Sequence, residues 1–143
     1  MAAQALLGPG APAPAMTPPH LLQRRILVAD DDREVRLGVA ELLAGLGLEI
    51  LHAATGTEAV ELVRGTRIHA ALLDMHMPGC TGLQILTLVR TETLGVPCIL
   101  LSGEANEIMC KSALQEGAVA VFKKPYTPRL LRDEVRRVLR LSA

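Results

Sequence analysis

Residues 69–82 read HAALLDMHMPGCTG. An unbroken apolar run, Ala70 to Leu73, ends on Asp74, and a loop carrying Pro78, Gly79 and Gly82 follows. A short apolar run bounded by turn residues predicts a strand buried on both faces, here 69–74. Residues 82–92 then show helical spacing. A strand with no polar face belongs to a parallel sheet covered by helices on each side.

The same unit recurs in both directions. Upstream, ILVA at 26–29 predicts a first strand, and Val35, Val39, Leu42, Leu43 and Leu46 a helix that Gly45 or Gly47 ends. Residues 48–53 predict a second strand, and Thr55 with Glu58 a capping box for the next helix. Downstream come a fourth strand at 96–102, a helix at 104–116 stopped by Gly117, and a fifth strand at 118–122. Thr127 and Pro128 stand as N-cap and first residue of a last helix. Five β-α units in a row predict an α/β fold with a parallel sheet.

A chain of 143 residues suits one such domain. Half its residues are apolar, yet Phe122 and Tyr126 are its only aromatics, so Leu, Val, Ile and Ala must build the core. Residues 1–22 are rich in Ala, Pro and Gly and read as a disordered tail, leaving 23–143 as the domain. Fifteen acidic and fifteen basic side chains balance, which argues against a nucleic-acid or membrane-surface partner. Cys80, Cys98 and Cys110 have no C-x-x-C spacing and fit a reducing cytoplasm. No apolar run approaches the roughly 18 residues of a membrane span, and the N-terminus lacks a signal peptide's basic and apolar regions.

The polar residues fall at the strand ends. Asp30 and Asp31 follow the first strand, Asp74 ends the third, Ser102 ends the fourth, and Lys124 follows the fifth. In an open parallel sheet these C-termini share one edge, where ligands bind. Crowded carboxylates repel unless a cation joins them, and an all-oxygen donor set points to a hard divalent ion such as Mg²⁺. A carboxylate beside Mg²⁺ and a lysine can attack phosphorus, with Ser102 donating to a phosphoryl oxygen.

These residues carry a family resemblance over 25–141. Ile26 to Ala29 with Asp30, Asp31 and Asp32 resembles the acidic opening motif of response-regulator receiver domains. LLDMHMPGCTG, from Leu72 to Gly82, is similar to their phosphoacceptor motif, Leu100 to Gly103 to their hydroxyl switch, and Lys124-Pro125-Tyr126 to their Lys-Pro-aromatic signature. Each motif alone is weak, but the four in order are specific. The resemblance implies a flavodoxin-like, doubly wound five-stranded sheet of order 2-1-3-4-5 with five helices. It implies that Asp74 takes a phosphoryl group from a sensor histidine kinase or a histidine phosphotransfer protein. Asp31, Asp74 and the backbone carbonyl of His76 would bind Mg²⁺ directly, and Asp30 partly through water. Lys124 would pair with the phosphoryl group, across a cis peptide to Pro125. Such a protein is not a turnover enzyme, and its output would pass to a separate downstream protein, by phosphorylation-dependent binding or by phosphorelay to another histidine.

One position departs from the pattern. The strand-five aromatic, three residues before the lysine, falls on Val121, and alternation should send Phe122 to the opposite face.

Several residues have plainer readings. Asp32 stands where a helix N-cap belongs. His20, His52 and His69 read as surface or partly buried residues, Lys123 as a solvated lysine and Cys80 as a small apolar filler. Arg129, Arg132, Arg136 and Arg140 share one face of the last helix and read as a solvated or partner-facing surface. The alternative function is a phosphohydrolase of the haloacid-dehalogenase type, suggested by Asp30-x-Asp32 with a later serine and lysine. That family's final acidic pair has no counterpart after Lys124, and the alternative leaves Asp74 unexplained.

Overall fold

The computed structural model of the protein describes residues 23–104 and 106–141. The Ala/Pro-rich segment at 1–22, with His20, lies outside them. Five strands alternate with five helices: β1 (Arg25–Ala29), α1 (Arg33–Leu42), β2 (Glu49–Ala53), α2 (Gly56–Gly65), β3 (Ala70–Asp74), α3 (Gly82–Thr91), β4 (Cys98–Ser102), α4 (Glu107–Gln115), β5 (Ala120–Lys123) and α5 (Pro128–Leu139). The sheet has the order β2-β1-β3-β4-β5, and all four pairings are parallel.

Side chains alternate between the faces of a strand, so each central strand feeds two cores. Leu27, Ala29, Ala71, Leu73, Cys98 and Leu100 face one way, where α2, α3 and α4 cover them with Val63, Ile85 and Ala113. Ile26, Val28, Ala70, Leu72, Ile99 and Leu101 face the other, under Val39 of α1, its C-cap Leu43, and Leu131, Val135 and Leu139 of α5. β1, β3 and β4 are almost wholly buried, whereas the edge strands β2 and β5 are only partly so. Val121 packs on the first core while Phe122 packs on the second, so the aromatic does lie on the opposite face.

Several local expectations are corrected. β4 begins at Cys98 rather than 96, because Pro97 has no N–H to give the ladder; only its carbonyl accepts, from Ala71 N–H at 2.9 Å. β5 runs over Ala120–Lys123, starting two residues later than 118. α4 starts at Glu107, where Asn106 Oδ1 caps the Met109 amide at 2.8 Å. Thr55 makes only half a capping box: its hydroxyl accepts the Glu58 amide, but the Glu58 carboxylate meets that hydroxyl instead of the Thr55 amide. The complete box is Thr81 with Gln84, at 3.1 and 2.8 Å. Its T-x-x-Q spacing was there to be read. Thr127 occupies the N-cap position of α5, but its side chain caps nothing.

The arginine face of α5 is not simply solvated. Arg132 donates to the carbonyls of Leu42 and Ala44 at 2.8 and 3.0 Å, satisfying acceptors that the end of α1 leaves over. Arg136 lies beside Asp133 at 3.8 Å and is only partly exposed. Arg132 therefore joins α5 to the fold, Arg136 pairs within its own helix, and Arg129 and Arg140 are exposed as expected.

Candidate functional site

The parallel topology brings the C-terminal ends of β1, β3, β4 and β5 to one edge. Asp30 is 1% exposed, Asp74 6% and Ser102 0%, and these are the buried polar side chains among the described residues. Lys124 Nζ donates to Asp30 Oδ2 at 2.8 Å and to Asp74 Oδ1 at 3.2 Å. Residues 94 and 50 positions apart in sequence thus meet through one ammonium group. The Lys124-Pro125 peptide is cis. Lys123, the last residue of β5, is exposed and forms no part of this bridge.

Two glycines let the backbone close around Asp74. A Cβ on Gly82 would stand 2.5 Å from the Asp74 carbonyl oxygen, so only glycine lets α3 start against that residue. A Cβ on Gly56 would stand 2.0 Å from the Cys80 carbonyl oxygen, and the Gly56 amide donates to Pro78 at 2.9 Å. The loop after β3 is thereby pinned to the start of α2. Cys80 packs against the core beneath that loop, and burial pushes its thiol up, as expected of a filler.

Asp31 is exposed, but its carboxylate belongs with those of Asp30 and Asp74. One oxygen from each lies within 4.8 Å of the others. Three carboxylates at that spacing, with no nitrogen or sulfur donor among them, suit a hard divalent cation such as Mg²⁺. Asp32 stays outside the group. Its Oδ1 accepts from the amides of Glu34 and Val35, so it caps α1 as the sequence suggested. That removes the second aspartate a haloacid-dehalogenase pocket would use. His76 sits two residues past Asp74 with an exposed imidazole 3.8 Å from Glu104.

Burial raises the Asp74 carboxyl above its ordinary value, and the Asp30 charge adds to this; the Lys124 ammonium opposes both without cancelling them. For Lys124 burial pulls downward, but the hydrogen bonds and charges of Asp30 and Asp74 prevail and raise it. One lysine thus serves two carboxylates and leaves the cluster short of positive charge. A carboxylate held above its unfolded value binds protons in the native state, so ionised Asp74 destabilises the metal-free fold at neutral pH. This penalty is complete above the folded pKa and vanishes as pH falls below the ordinary value of 3.8. Asp74→Asn should accordingly melt higher than wild type at pH 7 without divalent cations. Thermal denaturation should show the difference shrinking toward pH 4, and an Asn variant of equal or lower stability would refute the electrostatic account.

Residues 26–136 match the response regulator receiver domain family. The DNA-binding response regulator MtrA of Mycobacterium tuberculosis (strain ATCC 25618 / H37Rv) is 32% identical over 119 residues, covering 83% of this chain and 52% of that protein. Sporulation initiation phosphotransferase F of Bacillus subtilis (strain 168) is 28% identical over 123 residues, covering 86% of this chain and 99% of that protein. Among solved structures, a CheY-like response regulator receiver domain protein from Methanospirillum hungatei JF-1 superposes with a TM-score of 0.76 at 28% identity. It covers 82% of this chain and 94% of that one. The chain spans about half the length of relatives such as MtrA.

Proposed function

The chain belongs to the response regulator receiver domain family, and from that premise we propose that Asp74 is its phosphoacceptor. Proteins of this family work with histidine kinases or histidine phosphotransfer proteins, and one of these is the donor here. The observation that carries the reading is the Lys124 ammonium bridging Asp30 and Asp74 at 2.8 and 3.2 Å beside the exposed Asp31.

A carboxylate oxygen of Asp74 attacks the phosphorus of a phosphohistidine. An O–P bond forms as the N–P bond breaks, and the imidazole nitrogen leaves with the electron pair. Asp30, Asp31 and Asp74, with the His76 carbonyl, would hold Mg²⁺, which when bound offsets the carboxylate repulsion and the charge of the phosphoryl oxygens. Lys124, already bonded to Asp74, can pass its charge-assisted hydrogen bond to a phosphoryl oxygen. Ser102 supplies a neutral donor once its hydroxyl turns toward the pocket. The protein catalyses its own phosphorylation and dephosphorylation and no other turnover. Output runs through a protein partner that distinguishes the two states of Asp74.

The cell compartment we propose is the cytoplasm, on the strength of three unpaired thiols, at Cys80, Cys98 and Cys110. Burial pushes the Cys98 thiol up to about 12, which keeps it inert. Among the described residues no helix is long and apolar enough to cross a membrane.

The test is stoichiometry. Acetyl phosphate with Mg²⁺ should load a single phosphoryl group per chain, labile to hydroxylamine as acyl phosphates are. Incubation with p-nitrophenyl phosphate should give no sustained turnover; repeated turnover would replace this reading with a phosphohydrolase.

A further inference from the structure

β4 ends on Ser102, whose side chain is fully buried. Its oxygen accepts the Glu104 amide at 3.2 Å and lies 3.9 Å from Met109 Sδ, a distance at which its O–H can donate weakly to the sulfur. Neither contact involves Asp74 or Lys124. The hydroxyl is therefore engaged with the β4–α4 loop and the first turn of α4, not with the carboxylate pocket.

Met109 is well placed to hold it there. Its amide is fixed by the Asn106 cap at 2.8 Å, which sets the backbone from which the thioether projects. Its side chain packs against the same buried cluster as Val121, the β5 residue that stands where an aromatic was expected. A thioether is flexible and a weak hydrogen-bond acceptor, so it can seat a hydroxyl without locking it.

We propose that Met109 is a positioning residue for Ser102: its sulfur keeps the hydroxyl in a resting orientation that phosphorylation of Asp74 must undo. This rests on the phosphoacceptor reading. When the hydroxyl turns to a phosphoryl oxygen it leaves both Met109 and the Glu104 amide, so the β4–α4 loop and the first turn of α4 each lose one tie to β4. That links the pocket to α4 without an aromatic ring on β5. Ile108, beside Met109, is 82% exposed, so movement of this turn shifts an apolar side chain that solvent already reaches.

The experiment is a double-mutant cycle read as Mg²⁺-dependent affinity for beryllofluoride, a phosphoryl mimic. Met109→Leu preserves bulk and burial but removes the acceptor. It should tighten binding by about threefold, the order expected when one weak resting-state bond is lost from a two-state equilibrium. In a Ser102→Ala background the same change should do nothing, because no hydroxyl is left to hold. Met109→Gln restores a stronger acceptor and should bind more weakly than Met109→Leu. Unchanged or weakened affinity in Met109→Leu, or an equal effect in both backgrounds, would overturn the proposal, since packing acts whether or not Ser102 is present. A wild type that binds no beryllofluoride would instead overturn the phosphoacceptor reading, and this inference with it.

Discussion

Lys124→Ala should leave a folded domain that no longer responds to phosphorylation, while Lys123→Ala responds like wild type. The two lysines are neighbours in sequence but not in function. Lys124 is partly buried and gives its ammonium to Asp30 and Asp74. Lys123 pairs in register with Ser102 through its backbone, and its side chain is exposed. Hydrogen bonds to charged groups contribute about 1.5–3 kcal/mol, so loss of Lys124 should weaken beryllofluoride binding roughly 10- to 150-fold. Some phosphate should still be accepted, because Asp74 and its carboxylate neighbours remain. Hydrogen exchange with and without the mimic should show the response at β5 and α5 retained in Lys123→Ala and lost in Lys124→Ala. Equal loss in both would mean that the end of β5 is not arranged as described.

A comparably large contrast is expected between the adjacent aspartates. Asp31 is exposed and contributes an oxygen to the three-carboxylate group, whereas Asp32 is bonded to the first turn of α1. Asp31→Ala should abolish Mg²⁺ binding in a direct titration and leave the melting temperature little changed. Asp32→Ala should keep the metal and lose a helix cap, a cost of about 0.5–2 kcal/mol. The reverse pattern would shift the pocket by one residue and restore the phosphohydrolase alternative.

The fold was legible because its signals are local and repeated. The buried runs ILVA, AALLD and CILLS have no polar face, which only a sheet covered on both sides accommodates, and the glycines and caps between them mark the helices. The site was legible for a related reason: each polar residue follows an apolar run, so parallel topology brings them to one edge. Distances were not. Sequence could not show that one ammonium bridges Asp30 and Asp74, nor that Asp74 carries a net unfavourable environment, because both depend on groups brought together across the sheet. Arg132 was misread because helical periodicity shows which face a residue shares, not whether another element's carbonyls wait there. Met109 escaped notice altogether. A methionine at helical spacing reads as core, and only the approach of its sulfur to the Ser102 hydroxyl oxygen singles it out.

The central claim is that Asp74, alone among fifteen acidic residues, accepts the phosphoryl group. The most direct measurement is peptide mapping by mass spectrometry after exposure to acetyl phosphate and Mg²⁺, with borohydride trapping of the acyl phosphate, on wild type and Asp74→Asn. A single trapped site is expected at Asp74 and none in the variant; undiminished labelling of Asp74→Asn, or trapping at Asp30 or Asp31 in the wild type, would contradict this assignment.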